Sequence, residues 1–282
     1  MNVYTATGAQ YLHMNILTLT TEGKARIALS EGLQDIVEGG GYGRILGLGQ
    51  AVADVQDDEP IIGDEATEFS REAELNPWRY QSFVRTACAL VREAGLQAPF
   101  IIDMGCGPAI LSSMIAKEIP TAQVMGIDLS EDMLAIASST ARTFGVADRL
   151  NLHRHDMRLV AGGASRLADL VVSRNMLHRV EGLSDALYKL VSAAKPNGGM
   201  VCLAAFRQVS DLNPKGQAAF VSAVRARSGY ENLERAFVRA YISAPSFIQY
   251  RQAALAVANR LDVADMQVRA GKNNNVVVFF RR

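Results

Sequence analysis

The chain has 282 residues, 49% of them apolar, and its 29 basic and 29 acidic side chains give a formal net charge of zero. That length accommodates one or two domains with a sizeable core, and the charge balance lacks the basic excess of a nucleic-acid binder. Three cysteines (Cys88, Cys106, Cys202) without a C-x-x-C spacing argue against a disulfide framework or zinc site, and the absence of a long apolar run or signal-peptide pattern predicts a cytoplasmic protein without a membrane span.

Residues 1–75 differ in composition from the rest and are expected to form a separate helical cap or lid. Leu12, Ile16 and Leu19 recur at helical spacing, and so do Leu29, Leu33, Ile36 and Val37. Gly39-Gly40-Gly41-Tyr42-Gly43 and the pair Gly47 and Gly49 then interrupt any helix. No clear strand precedes them and no Gly-Lys-Ser/Thr ending follows, so they read as a hinge or lid rather than a phosphate loop. Asp54 to Glu59 is an acidic, solvated stretch. Glu65 to Arg79 is polar and ends in Asn76-Pro77-Trp78-Arg79, where Pro77 suits the first turn of a helix. Val84, Ala87, Cys88 and Val91 give that helix its apolar face.

The segment Phe100 to Leu134 carries the most information. Phe100-Ile101-Ile102 is a buried strand ending in Asp103. Gly105 and Gly107 allow a tight turn with close backbone approach to a ligand. Ile110 to Lys117 reads as a helix and Gln123 to Ile127 as a second strand closing on Asp128. That acid lies about 20 residues beyond the glycines, the spacing of a residue that accepts hydrogen bonds from ribose hydroxyls. A dinucleotide loop wants a third glycine, and here that place falls on Ala109 or Ile110, depending on the alignment. Asp103 would repel a pyrophosphate but attract a ligand carrying an ammonium and a sulfonium.

Alternation continues with strands near 150–154, 169–173 and 199–205 and helices near 131–144 and 184–195, which implies a mainly parallel sheet covered on both faces. Asp103, Asp128, Asp156 and Ser173 all fall at or just past strand C-termini, where open α/β sheets bind ligands. Helices follow near 214–227, 231–242 and 246–261. Two strands, 265–270 and 276–280, flank Gly271-Lys272-Asn273-Asn274-Asn275 as a terminal hairpin.

On Asp103-Met104-Gly105-Cys106-Gly107-Pro108, Gly126-Ile127-Asp128-Leu129-Ser130 with Met133-Leu134, His155-Asp156-Met157, Asp169 to Ser173 and Lys195-Pro196-Asn197-Gly198-Gly199, the chain resembles the class I S-adenosylmethionine-dependent methyltransferases over about residues 76–206. The resemblance implies a Rossmann-like, mainly parallel seven-stranded sheet with a C-terminal β-hairpin over 76–282, a helical insertion near 214–261 and the N-terminal cap. It implies S-adenosyl-L-methionine as cofactor. Gly105, Cys106 and Gly107, with Asp103, would hold its methionine part. Asp128 with Leu129 would hold the ribose, Met133 would pack near the ribose or adenine, and Asp156 with Met157 would meet the adenine. Ser173 and Asn175 would line the pocket.

Methyl transfer from a sulfonium is an in-line displacement, and a base is needed only where the nucleophile carries a proton. The candidate base is His178, whose ordinary pKa suits proton acceptance near neutral pH, and a packing or helix-cap histidine is the competing reading. His153 and His155 share a strand face beside Asp156, but no fourth ligand has a fitting spacing, so no metal is expected. Cys106 lacks a neighbouring base and reads as a small filler. Trp78, Tyr80 and Phe83 are available to stack on a flat ligand, and Arg71, Arg79 and Arg174 to meet a carboxylate or phosphate. The partner expected is a small molecule methylated at oxygen, nitrogen or carbon, with neither nucleic acid nor membrane. A peptide acceptor, or cofactor binding without methylation, stays open, as does a homodimer.

Overall fold

The computed structural model describes residues 18–19, 25–26, 60–157, 167–180, 182–225, 240–241, 244–271 and 275–282. The glycine-rich segment 39–49 lies outside these residues, as do the helix proposed over residues 29–37 and most of the one proposed over residues 231–242. Near the N-terminus, β1 (Thr18–Leu19) pairs antiparallel with β2 (Ala25–Arg26). Leu19 therefore stands in a strand, not in the helix that its spacing from Leu12 and Ile16 suggests. The alternation Leu17-Thr18-Leu19-Thr20 has the period of two that a strand requires, and it wins locally.

Two helices precede the main sheet, α1 (Gly63–Leu75) and α2 (Trp78–Glu93). Helix α1 is hard to see in the sequence because its buried face is built from Ala66, Ser70 and Ala73, small residues that make a weak apolar stripe. Helix α2 begins at Pro77, as the sequence predicts, and buries Tyr80, Phe83, Val84, Ala87, Cys88 and Val91.

The α/β unit then runs β3 (Phe100–Met104), α3 (Ile110–Glu118), β4 (Gln123–Asp128), α4 (Glu131–Phe144), β5 (Leu150–Arg154), β6 (Leu170–Arg174), α5 (Leu183–Ser192), β7 (Met200–Phe206), α6 (Pro214–Arg225), α7 (Phe247–Leu261), β8 (Asp265–Ala270) and β9 (Asn275–Arg281). Its seven strands lie in the order β5-β4-β3-β6-β7-β9-β8. The first five are parallel, and β9 runs antiparallel to both β7 and β8.

Each central strand is buried on both faces, because side chains alternate across the sheet. Ile101, Val124, Leu170, Val172 and Cys202 face the core shared with α2, α3 and α4. Ile102, Val171, Val201, Leu203 and Phe280 face the core shared with α5 and α7. Helix α7 opens with a complete capping box, Ser246 with Gln249, and its fully buried Tyr250 donates a hydrogen bond to the Phe206 carbonyl at 3.1 Å. That bond fixes the end of β7.

The turn between β3 and α3 fixes the site. Gly105 has φ +71°, and a Cβ there would lie 2.5 Å from Cγ and 2.8 Å from Cβ of Met176, in the loop after β6. The two strand-end loops therefore touch only because residue 105 has no side chain. Gly105→Ala combines a left-handed backbone with a clash against the stem of Met176. It is expected to destabilise the protein by at least about 2 kcal/mol, read as a lower midpoint in urea unfolding; an unchanged midpoint would show that the contact is soft.

Candidate active site

The C-terminal ends of β3, β4, β5 and β6 meet at the glycine loop. The backbone N–H groups of Gly105 and Cys106 donate to the Ile127 carbonyl at 2.8 and 2.9 Å. The Asp128 carboxylate accepts from the N–H of Gly107 at 2.8 Å with one oxygen and from that of Ser130 at 2.9 Å with the other. Burial raises the Asp128 pKa, and these backbone donors oppose the rise. Ser130 caps α4 by accepting from the Met133 N–H. Ala109, at the place of the third small residue, is buried with φ +56°, so alanine occupies a left-handed conformation that glycine would adopt without strain.

A cavity of about 700 Å³ opens over these strand ends, within the range of small-molecule sites. It has two lobes. One is lined by Gly105, Cys106 and Gly107, then by Asp128, Leu129 and Met133, and at its far end by His155, Asp156 and Met157. The other lies toward β7 and β9 and is lined by Phe83, Cys202, Ala204 and Phe206, with Phe220, Tyr241, Asn275 and Val277 beyond them. Its aromatic rings touch in series. Phe206 stands 4.6 Å from Tyr241, which stands 4.9 Å from Phe220. Arg174, the last residue of β6, and Asn175 and His178, just beyond it, also line the cavity.

Pro60, Ile61, Phe69 and Glu72 cover the first lobe. The covering segment is tied to α4: the Gly63 N–H donates to Asp132 at 2.7 Å, and the Ser130 hydroxyl donates to the Ile61 carbonyl. Glu65 lies 3.8 Å from Arg179 across the same seam, and Glu72 binds Arg79.

Of the residues singled out from sequence, Asp103, Gly105, Cys106, Gly107, Asp128, Leu129, Met133, Asp156, Met157, Asn175 and His178 all line this cavity. Ser173 is the exception. It is one residue before Arg174 on β6, so strand alternation turns it to the opposite face, where its hydroxyl is buried without a hydrogen-bond partner. Cys106 is buried beneath the loop, and its thiol pKa is pushed well up by burial and by the neighbouring Asp103 and Asp128 carboxylates, which removes it as a nucleophile. Among the described residues no cluster of His, Cys, Asp and Glu is arranged to hold a metal ion, and no helix is long and apolar enough to cross a membrane. The aromatic lobe escaped sequence reading. Its walls come from segments too far apart for any local pattern to join.

Two titratable groups depart from their ordinary behaviour. Asp103 is fully buried, and burial pushes its pKa up to about 7 against the opposing hydrogen bond donated by Ser112 at 2.5 Å. His178 is buried edge-on against Phe206, with ring centroids 4.9 Å apart, and its Nδ1 has no hydrogen-bond partner. Burial, then the Arg179 charge, lowers its pKa to about 3. The imidazole is therefore neutral at physiological pH, and its nitrogen is a far weaker proton acceptor than the sequence suggests.

A buried carboxyl group beneath a glycine turn, an acid closing the second strand and an open strand-end cleft suit an α/β protein to a nucleoside-bearing, cationic small molecule. A family model described as a methyltransferase domain matches residues 101–198. A ubiquinone biosynthesis O-methyltransferase from Bordetella pertussis is 30% identical over 186 residues, covering 66% of this chain and 68% of that protein. A trans-aconitate 2-methyltransferase from Streptomyces avermitilis is 35% identical over 98 residues, covering 35% of this chain and 36% of that one. In fold, the chain is similar to the plantazolicin methyltransferase BpumL, solved with a pentazolic desmethylPZN analog and SAH, at a TM-score of 0.60 and 16% identity over 85% of this chain and 97% of the other. The chain belongs to the class I S-adenosylmethionine-dependent methyltransferases. It spans 29–64% of the length of several curated relatives that it matches.

The buried Asp103 makes both stability and cofactor binding depend on pH. Its folded pKa lies above its unfolded one, so its contribution to stability is full below about pH 4 and is lost as pH rises through about 7. Asp103→Asn is therefore expected to melt higher than the unsubstituted protein at pH 8 and to lose most of that advantage at pH 5. A cationic ligand favours the ionised form, so affinity for S-adenosylmethionine should rise with pH through about 7 in the native protein and stay flat in the variant. Calorimetric titrations across this range check both, and a flat native profile would refute the assignment.

Proposed function

We propose that this chain transfers a methyl group from S-adenosylmethionine to a small molecule held in the aromatic lobe, at an oxygen, nitrogen or carbon atom. One observation carries the reading: a single cavity joins the lobe under the glycine loop to a lobe walled by aromatic rings. A donor and a small acceptor thus have contiguous places, as an in-line transfer requires.

The residues present fit the cofactor. Asp128 and Leu129 stand where the ribose would bind, Asp156 and Met157 where the adenine would. The backbone of Gly105 to Gly107, with Asp103 behind it, would hold the methionine end. Bound there, S-adenosylmethionine supplies an electrophilic methyl carbon on its sulfonium. The chain's own groups align the acceptor and keep water out. We assign the covering role to residues 1–75 as a cap, supported by the contacts of residues 60–75 with α4 and the donor lobe.

His178 lies near the junction of the lobes. As a neutral imidazole it is suited to accept a hydrogen bond from an acceptor O–H or N–H and so to orient the nucleophile, rather than to carry away a proton. His178→Gln keeps a hydrogen-bonding group without a titratable nitrogen, and its kcat is expected to stay within roughly tenfold of native; a loss of about 10²–10⁴-fold would make His178 the base instead.

The whole reading is tested by titrating S-adenosylmethionine calorimetrically and then incubating methyl-labelled cofactor with a panel of small metabolites. Saturable binding with label transfer to a small molecule is expected. Binding with transfer only to peptides, or with no transfer to any nucleophile, would overturn the small-molecule reading.

A further inference from the structure

Arg174 is the last residue of β6, and its register partner is Ala204 on β7. Its side chain leaves the sheet on the face of Leu170, Val172 and Cys202, and the cavity wall includes it. It is therefore displaced toward the aromatic lobe relative to Asp103, whose partners are Gly126 on β4 and Val172 on β6. The guanidinium lies 4.4 Å from the centroid of the Tyr80 ring. Among the described residues no carboxylate lies within 4.0 Å of it, whereas Arg79, Arg149, Arg154 and Arg179 each have one.

A half-buried arginine over an aromatic ring, with no carboxylate within 4.0 Å among the described residues, keeps a planar fork of donors for a ligand. Asp103 feels the Arg174 charge but makes no ion pair with it within 4.0 Å, and its close hydrogen bond is the one it accepts from Ser112. Beyond Arg174 the lobe offers aromatic faces, with Phe206 and Tyr241 in contact, and few polar atoms. Such walls suit a flat ring. His178, in edge contact with Phe206, also lines the cavity and brings an imidazole to the same wall.

We propose that Arg174 anchors a carboxylate on the methyl acceptor, so that the acceptor is a small planar acid whose separate hydroxyl or amino group meets His178. This assignment rests on the donor and acceptor lobes proposed above. A ring stacked among the aromatic walls would present its carboxylate to the guanidinium and its nucleophile to the junction of the lobes.

The test uses the full chain saturated with S-adenosylhomocysteine. Trp78, the only tryptophan of the chain, lines the cavity with 57% of its surface exposed, and its fluorescence reports occupancy. The probes are 4-hydroxybenzoate and 6-hydroxy-2-naphthoate, each paired with its neutral carboxamide. The acids are expected to bind roughly tenfold or more tightly than their amides, a difference typical of a charge-assisted pair. Arg174→Gln should erase that preference, leaving amide and S-adenosylhomocysteine affinities unchanged, and Arg174→Lys should restore it in part.

Equal affinity for acids and amides would overturn the proposal. So would an Arg174→Gln variant that keeps its acid preference, or one that loses S-adenosylhomocysteine instead, since the arginine would then serve the donor's own carboxylate. Failure of the native chain to bind S-adenosylhomocysteine at all would reject the methyltransferase reading itself, a result distinct from any of these.

Discussion

The end of β4 holds the active site together. Ile127 gives its carbonyl to two N–H groups of the glycine loop, and Asp128 spans from Gly107 to the first turn of α4 through its two carboxylate oxygens. Those four hydrogen bonds set the loop's height above the sheet. The loop's height places Asp103 beneath it, and the missing side chain at Gly105 admits Met176 against it. Met176 lies in the short segment between Arg174, at the end of β6, and His178. The geometry of the acceptor side is therefore transmitted through one close contact from the donor side. Asp128 is thus an architectural group in addition to its proposed place as ribose ligand, a double use its position in the sequence does not reveal.

Local chemistry explains what the sequence announced and what it hid. The strands at 100–104 and 123–128 were marked by apolar residues closing on an acid, and the one at 150–154 by the regular alternation of strands and helices. The helix after Pro77 was marked by that proline, whereas the capping box at Ser246 went unread. Helix α1 was hidden because it buries alanine and serine. Ser173 was misplaced because proximity to a strand end does not say which face a side chain takes, and a single residue decides it. The shifted behaviour of His178 was invisible for a different reason. A histidine's proton affinity is set by the dielectric around it, and the wall that buries it, Phe206, lies 28 residues further along on another strand.

Charge is distributed unevenly within a chain of zero net charge. Near the glycine loop, the half-buried Asp128 raises the cost of ionising the buried Asp103, which suits the pair to a cation. A short distance along the sheet, Arg174 rests on Tyr80 with no carboxylate in contact. Between them the imidazole of His178 is kept neutral. The cavity is thus polarised along its length, with an anionic donor end and a cationic acceptor end. Such a field favours a sulfonium in one lobe and an acid in the other, and disfavours the reverse placement.

The two lobes also differ in how much chain must be gathered to build them. The donor lobe closes between Gly107 and Asp128, within a single strand–helix–strand unit. The acceptor lobe needs Phe83 from α2 and Val277 from β9 on opposite sides of one cleft, enclosing a stretch roughly nine times longer. By loop-closure entropy alone that is about 2 kcal/mol more to close. During folding, the half proposed to grip the methyl donor is consequently the cheaper to nucleate. The half that selects the acceptor must wait for β9 to enter the sheet between β7 and β8, so the chain acquires its general chemistry before its particular specificity.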